Sequence, residues 1–143
     1  MPEKTNDWLK LSKFFNENGL EIEISDKVPK EKLEMWKIEE ENSGRILAAV
    51  SLEIRDGCFV LGDLAVAKDV RKTGYGKLLH DMMLEHAKDR GATEIWGCAK
   101  VPEYYYQYGW EEMDRETSPK ISGCKECPQF NNTCFPSIIR KHL

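Results

Sequence analysis

Apolar residues recur at helical spacing in two stretches of the chain. In residues 7–18 they fall three or four positions apart, and Gly19 follows as a typical helix end. The same spacing returns in residues 75–90, where Gly91 ends the pattern. We therefore predict an amphipathic helix in each stretch. The inner face of the second helix is expected to carry Leu78, Leu79, Met82, Met83 and Ala87.

Alternating apolar and polar positions predict a hairpin in the middle of the chain. Asp56-Gly57 is typical of a tight turn between two strands, so residues 45–54 and 58–66 are expected to pair antiparallel. One face of the first strand is expected to consist of Ile46, Ala48, Val50, Leu52 and Ile54.

Two earlier segments have weaker patterns. Residues 20–24 alternate apolar and acidic side chains, which predicts a short strand. Residues 32–40 fit either a strand or a helix. The turn residues Asn42-Ser43-Gly44 favour the strand, because they would join it to residues 45–54 as a hairpin.

The second half of the chain continues with short elements. The apolar run at residues 94–99 follows the second helix, so it is expected to lie parallel to residues 59–66 through a right-handed crossover. Residues 102–108 begin with proline and predict a short helix. Further strands are expected to begin at Trp110 and to span residues 137–142.

Length and composition indicate one domain, residues 1–143, with residues 118–136 as a cysteine-bearing loop between the last two strands. The net charge of −4 and the lack of a basic stripe argue against nucleic acid as a partner. No apolar run is long enough to span a membrane, and the first residues do not resemble a signal peptide. We therefore expect a cytoplasmic protein, with a homodimer left open.

A glycine-rich loop opens the second predicted helix. In residues 59–77 a buried strand leads into the pattern Arg-x-x-Gly-x-Gly, which ends at Gly76. A helix start offers unpaired backbone N–H groups and a favourable dipole for an anion. Gly74 and Gly76 are expected to let the backbone come close and to take positive φ angles. Positive charge is added by Arg71, Lys72 and Lys77. The loop is therefore a candidate site for a diphosphate.

The spacing excludes two common phosphate-binding loops. A Walker A loop requires Ser or Thr after Gly-Lys, where this chain has Leu78. A dinucleotide fingerprint requires a third glycine where Leu79 stands.

Two motifs in residues 45–114 resemble the GNAT superfamily of N-acetyltransferases. Leu64-Ala65-Val66 followed by residues 71–76 is similar to the acetyl-CoA loop of that family. Residues 104–110, Tyr-Tyr-Tyr-Gln-Tyr-Gly-Trp, are similar to its aromatic-Tyr-x-x-x-Gly-aromatic segment. The motifs occur in the family's order, with a predicted helix and strand between them.

The resemblance implies an α/β (α+β) fold with a mixed, mostly antiparallel central sheet. Helices would cover both faces, and a splayed parallel pair of strands would border the cofactor site. Acetyl-CoA would be the co-substrate, and its acetyl group would pass directly to a primary amine. The cofactor-binding residues implied are Leu64, Ala65, Val66, Arg71, Lys72, Thr73, Gly74, Tyr75, Gly76 and Lys77.

The resemblance also implies a catalytic role for Tyr105, as the acid that protonates the departing thiolate. Tyr104, Tyr106 and Tyr108 are interpreted as packing or surface aromatics. No general base is marked: Asp63, Glu53 and a water relay all remain open, and either carboxylate could instead be a solvated strand residue.

Cys124, Cys127 and Cys134 form the second unusual pattern. They could bind a metal with Cys98 or His142, form a redox-active pair, or simply pack as a loop, and no metal site is assigned. Cys58 and Cys98 are expected to be small buried residues. His80 and His86 are interpreted as surface residues of the second helix.

Two further functions are left open beside N-acetyl transfer. The chain could be a non-catalytic acyl-CoA-binding module, or a thiol or metal protein on the same scaffold. The sequence does not identify the amine acceptor, which is expected to be a small-molecule or peptide amine.

Overall fold

The computed structural model describes residues 2–20, 22–99, 101–114, 116–119 and 137–143. Within these ranges, strands alternate with three α-helices and a short 3-10 helix. The elements are β1 (Glu3–Lys4), α1 (Trp8–Glu17), β2 (Lys32–Glu39), β3 (Ile46–Arg55), β4 (Cys58–Val66), the 3-10 helix (Lys68–Val70), α2 (Tyr75–Asp89), β5 (Glu94–Ala99), α3 (Glu103–Tyr106), β6 (Glu111–Met113) and β7 (Ser137–His142).

The strands form one seven-stranded sheet in the order β1-β2-β3-β4-β5-β7-β6. The pair β4–β5 is parallel and every other neighbouring pair is antiparallel. This confirms the predicted mixed, mostly antiparallel fold. The strand β7 follows β6 in the chain but lies between β5 and β6 in the sheet.

The hairpin β3–β4 turns at Asp56-Gly57 as predicted, and both residues have positive φ angles. Its register shifts once, because Ser51 lies opposite Asp63 while Leu52 lies opposite Leu61. Gly62 is thus the extra residue of a β-bulge in β4.

The strand β3 differs from its prediction because both of its faces are covered. Residues 46–53 are all buried, whereas Ile54 is 39% exposed where the strand leaves the core. The helix α1 covers one face through Leu11 and Phe15, and Ala49 of β3 packs in the same cluster. The main core lies on the other face and is formed by residues of α2 and of the sheet, among them Val50, Leu52, Leu61, Leu79 and Met83.

The inner face of α2 also differs in part from the prediction. Leu79, Met83 and Ala87 are buried, but Leu78 is 41% exposed. The buried stripe instead includes Leu84 and His80, so the interpretation of His80 as a surface residue is wrong. His86 is partly exposed, with its ring 4.8 Å from that of Trp36.

Residues 22–24 do not form the predicted strand. The backbone groups of this segment bond to the end of α1 rather than to a neighbouring strand. Leu20 N–H donates to the Phe15 carbonyl, and the Asn16 side chain donates to the Ile22 carbonyl at 2.9 Å. Among the described helices, none is long and apolar enough to cross a membrane.

Candidate active site

The parallel strands β4 and β5 diverge soon after they meet. They pair only at Val60–Trp96 and Leu61–Gly97, although β4 continues to Val66. On its other edge, β4 stays paired with β3 up to Val66. A gap therefore opens between β4 and β5 beyond Leu61, as the family resemblance implies.

The backbone groups of Leu64 and Val66 face this gap. Ala67 N–H donates to the Leu47 carbonyl at 2.8 Å, so Ala67 points towards β3. Because the N–H and C=O groups of alternate residues point to the same side of a strand, Ala65 also faces β3 while Leu64 and Val66 face away. Leu64 and Val66 thus present edge groups that an extended ligand could pair with.

The glycine loop lies between the end of β4 and the start of α2. Gly74 is the N-cap of α2 and has φ of 92°, and Lys72 before it has φ of 70°. Gly76 lies inside the first helical turn, so the prediction that it takes a positive φ is wrong. It is required for close approach instead, because a Cβ there would meet the Tyr104 hydroxyl at 2.7 Å.

The start of α2 presents N–H groups without helical partners. The first backbone bond of the helix runs from Leu78 N–H to the Gly74 carbonyl at 3.0 Å. Gly74 supplies no side-chain cap. The N–H groups of Tyr75, Gly76 and Lys77 therefore have no acceptor within α2, and they lie at the positive end of its dipole.

Two of the three predicted cations of this loop are held by protein groups. Arg71 Nε donates to the Val66 carbonyl at 3.1 Å, and Lys77 Nζ bonds to Asp81 Oδ2 at 2.5 Å. Thr73 Oγ1 donates to the Val70 carbonyl at 2.6 Å, which closes the turn before Gly74. The half-exposed Asp81 carboxylate raises the pKa of Lys77, so this lysine stays charged.

Tyr105 lies on α3 and is partly buried. Its ring contacts Trp110 edge-on, with ring centroids 5.6 Å apart, and lies 5.2 Å from that of Tyr104. Burial raises the pKa of the Tyr105 phenol well above its usual value, and Tyr104 and the negative charge of Asp63 add to the rise. Tyr105 also packs against the main core, as do Leu64 and Val66 of β4.

Tyr104 has a role that the sequence reasoning missed. Its hydroxyl fills the space over Gly76 and thereby connects α3 to the glycine loop. Burial, with a contribution from Tyr108, raises the pKa of Tyr104 to about 12. Tyr106 is 38% exposed, which agrees with the prediction of a surface aromatic.

A buried ionic cluster surrounds Lys32 beside the bulge of β4. Lys32 Nζ donates to the carboxylates of Glu53 and Asp63 and to Ser51 Oγ, the last at 2.9 Å. The side chains of Lys32 and Glu53 are 4% and 6% exposed. Nζ also lies 4.8 Å from the centroid of the Trp8 ring at the start of α1.

The two candidate bases, Asp63 and Glu53, are not equivalent in this cluster. Both oxygens of Glu53 bind cations, Oε2 binding Lys32 and Oε1 binding Arg55 at 2.7 Å. Among the described residues, the side-chain hydrogen bonds of Asp63 all go to Oδ2. Burial raises the pKa of Asp63, and the Lys32 ammonium opposes that rise.

The interpretation of Asp63 and Glu53 as solvated strand residues is wrong, because the Glu53 side chain is buried and the Asp63 side chain is 12% exposed.

Gly62 leaves room for this cluster. A Cβ on Gly62 would lie 2.1 Å from Glu53 Oε2 and 2.6 Å from Ser51 Oγ. The bulge at this glycine therefore lets two polar side chains of β3 reach the space over β4.

The cysteine pattern at Cys124, Cys127 and Cys134 lies outside the described residues, so its three interpretations stay predictions. Within the described part of the chain, no group of His, Cys, Asp and Glu is arranged to hold a metal ion. Cys58 and Cys98 are half-buried rather than fully buried, and burial raises the pKa of the Cys58 thiol.

Comparison with solved structures gives relatives of the same fold at low sequence identity. A GNAT-family acetyltransferase from Staphylococcus aureus Mu50 is 18% identical with a TM-score of 0.72, and the match covers 100% of this chain and 98% of that one. The Escherichia coli ribosomal-protein-S18-alanine N-acetyltransferase is 14% identical with a TM-score of 0.66, and the match covers 99% and 94%.

A third similar structure is the Neisseria gonorrhoeae N-acetylglutamate synthase, solved with coenzyme A and N-acetyl-glutamate. It is 17% identical with a TM-score of 0.63, and the match covers 76% of this chain. The present chain spans only 25% of that protein's length. A search of curated proteins by sequence gave no match.

The model of the acetyltransferase (GNAT) family matches residues 4–109, which include α1, β2 to β5, the glycine loop, α2 and α3. This match covers most of the chain and agrees with the diverging strands, the loop and the fold. The chain belongs to the acetyltransferase (GNAT) family.

Proposed function

We propose that this protein transfers the acetyl group of acetyl-CoA directly to a primary amine. The observation that carries the proposal is the gap between β4 and β5. The glycine loop lies at one end of this gap, and Asp63 lies on the part of β4 that no longer pairs with β5. Tyr105 packs against the same core as Leu64 and Val66. Family membership and the coenzyme A in the N-acetylglutamate synthase structure support the same ligand.

The residues of the gap and loop fit the parts of coenzyme A. The N–H groups of residues 72–77 would bind the diphosphate, because the helix start supplies unpaired donors and a favourable dipole. The edge groups of Leu64 and Val66 would pair with the pantetheine arm as a further strand would. Ala65 faces β3 and would contribute packing only.

Some of the predicted contacts require rearrangement. Arg71 bonds to the Val66 carbonyl, so this guanidinium would have to leave that oxygen if the pantetheine arm uses it. Lys77 is paired with Asp81, so we expect Lys72 and the backbone to make the first contacts with phosphate.

The acceptor amine must lose a proton before it attacks the thioester carbon. We propose Asp63 as the proton acceptor in preference to Glu53, because both Glu53 oxygens already bind cations. The raised pKa of Asp63 makes it a stronger base than an ordinary aspartate. A water molecule could relay the proton between the amine and Asp63.

Attack forms the new C–N bond, and the C–S bond then breaks. A backbone N–H near Val66 would stabilise the oxyanion formed on the acetyl carbonyl. Tyr105 would give its phenolic proton to the departing thiolate. Its raised pKa supports this role, because the phenol stays protonated at neutral pH and is available as an acid.

The test is a thiol-release assay across a panel of primary amines, including amino acids, polyamines and peptide N-termini, together with calorimetric titration of acetyl-CoA. We expect the Tyr105→Phe variant to bind acetyl-CoA normally but to lose about 10²- to 10⁴-fold in kcat. Unchanged turnover in this variant would remove the acid role. Binding without turnover on any amine would favour the non-catalytic module, and a lack of binding would reject both functions.

A further inference from the structure

A hydrogen bond between two buried side chains joins α2 to the segment that follows α3. Trp110 Nε1 donates to His80 Nε2 at 3.0 Å, and the exposed fractions of these residues are 4% and 1%. An indole N–H can only donate, so His80 Nε2 must carry the lone pair that accepts it.

The second ring nitrogen of His80 is also engaged. Nδ1 lies 3.0 Å from Asp81 Oδ1, and a carboxylate can only accept. His80 is therefore the neutral tautomer with its proton on Nδ1. Asp81 in turn bonds to Lys77 of the glycine loop at 2.5 Å, so the chain of bonds runs from that loop to Trp110.

Trp110 is attached to Tyr105 in two ways. Its ring contacts the Tyr105 ring edge-on at 5.6 Å, and its backbone N–H donates to the Tyr105 carbonyl at 3.4 Å. The His80 ring also lies 4.9 Å from that of Tyr108, whose N–H donates to the same carbonyl. Movement of the indole would therefore move Tyr105.

The same indole lies where β4 and β5 separate. Gly97 is paired with Leu61 at the last position before the gap, and a Cβ on Gly97 would lie 3.5 Å from the Trp110 ring. Trp110 therefore packs between Tyr105 of α3 and the position on β5 where the gap begins.

From this geometry we infer that His80 is a positioning residue for catalysis. As the neutral Nδ1–H tautomer it accepts the Trp110 hydrogen bond, and so holds the Tyr105 hydroxyl in place to protonate the thiolate. The inference rests on the proposed function, because it presumes that Tyr105 is the acid. His80 would act through Trp110 rather than on either reactant.

Three variants separate this role from simple packing. His80→Leu and Trp110→Phe each remove the hydrogen bond and fill the space with an apolar side chain. His80→Gln keeps a side-chain oxygen that can accept the Trp110 N–H. We expect the first two to lower kcat by about 10- to 100-fold with the KM for acetyl-CoA changed less than about 2-fold, because displacement of a catalytic group by an ångström costs that much.

The conservative variant His80→Gln should keep most of the wild-type activity. We expect His80→Gln to stay within about 5-fold of the wild-type kcat, since the acceptor is present. The double variant His80→Leu/Trp110→Phe should lose no more than either single variant, because both remove one interaction.

Met83→Ala is the matched control. Met83 is fully buried on the same helix and packs in the main core. The Met83→Ala variant should lower the melting temperature without a selective loss of kcat. The inference is overturned if His80→Leu keeps its kcat, if Met83→Ala loses as much, or if His80→Gln is no better than His80→Leu. If the inference fails in one of these ways, activity of the wild type and its loss in Tyr105→Phe would still support the proposed function. Failure of the inference and failure of the proposed function are therefore distinguishable.

Discussion

A Cβ on Gly76 would lie 2.7 Å from the hydroxyl oxygen of Tyr104 and 3.3 Å from Cγ2 of Val66. Tyr104 belongs to α3, Val66 ends β4 and Gly76 lies in the first turn of α2. Three elements of the candidate site thus converge at one glycine. Glycine is therefore required in this loop by close packing as well as by backbone conformation.

Gly76→Ala should weaken acetyl-CoA binding, because the methyl group must push α3 or β4 away from the glycine loop. We expect a loss of about 10-fold or more in affinity, equivalent to roughly 1–3 kcal/mol of overpacking. Calorimetric titration with acetyl-CoA measures it. Removal of the hydroxyl in Gly76→Ala/Tyr104→Phe should restore part of the affinity, since only the Val66 contact remains tight. No recovery in the double variant would show that Tyr104 does not limit the space.

Asp63→Asn should lower kcat by about 10²- to 10⁴-fold if Asp63 accepts the amine proton, since an amide cannot take that role. Initial rates of thiol release at saturating acetyl-CoA measure it. Glu53→Gln is the matched control, because it removes one charge from the same cluster. It should reduce stability while leaving turnover within about 10-fold. The reverse ranking of the two variants would assign the base to Glu53, and equal small effects would favour a water relay that depends on neither carboxylate.

Lys32→Met should destabilise the protein by about 3–5 kcal/mol, because it leaves buried carboxylates without their cation. Arg55 still binds Glu53, so Asp63 loses the most. Urea unfolding at neutral pH measures the change. Lys4→Met is the control, since Lys4 pairs with Glu34 but its side chain is 64% exposed. It should cost no more than about 1 kcal/mol. Similar costs for both lysines would contradict the buried character of the Lys32 cluster.

Stability should fall as the pH drops below the ordinary histidine pKa of 6.5. Burial lowers the pKa of His80 in the folded protein, so the unfolded chain binds the proton first. The free energy of unfolding then decreases by at most about 1.4 kcal/mol per pH unit below that value until His80 itself is protonated. Unfolding in urea from about pH 7.5 to pH 5.5 tests it. His80→Gln should flatten this part of the curve, and an unchanged slope would show that other groups cause it.

The elements that could be predicted from sequence are those with strong local signals. The helices α1 and α2 repeat their apolar residues over several turns, and the turn at Asp56-Gly57 specifies the β3–β4 hairpin. The glycine loop was also predictable, because its spacing and its position after a strand are local features. The two-residue strand β1 was not, since so short a segment has no period.

The polar contacts of the site could not be predicted in the same way. His80 looks like a surface residue from its neighbours in sequence, and it is buried because Trp110, thirty residues later, supplies a donor. Lys32 and Asp63 are likewise 31 residues apart and meet only across the sheet. Burial of a charged or polar side chain depends on such distant partners, which a local pattern does not contain.

The strand β7 separates β5 from β6, which precedes it in the chain. The short strand β6 makes its backbone pairs with β7, so it can join the sheet only together with β7 or after it. Because β6 directly follows Trp110, the environment of the indole should mature late in folding, after a long-range closure that is intrinsically slow. Coenzyme affinity and the fluorescence of Trp110 should therefore be recovered after most of the far-ultraviolet signal when the unfolded chain is returned to native conditions.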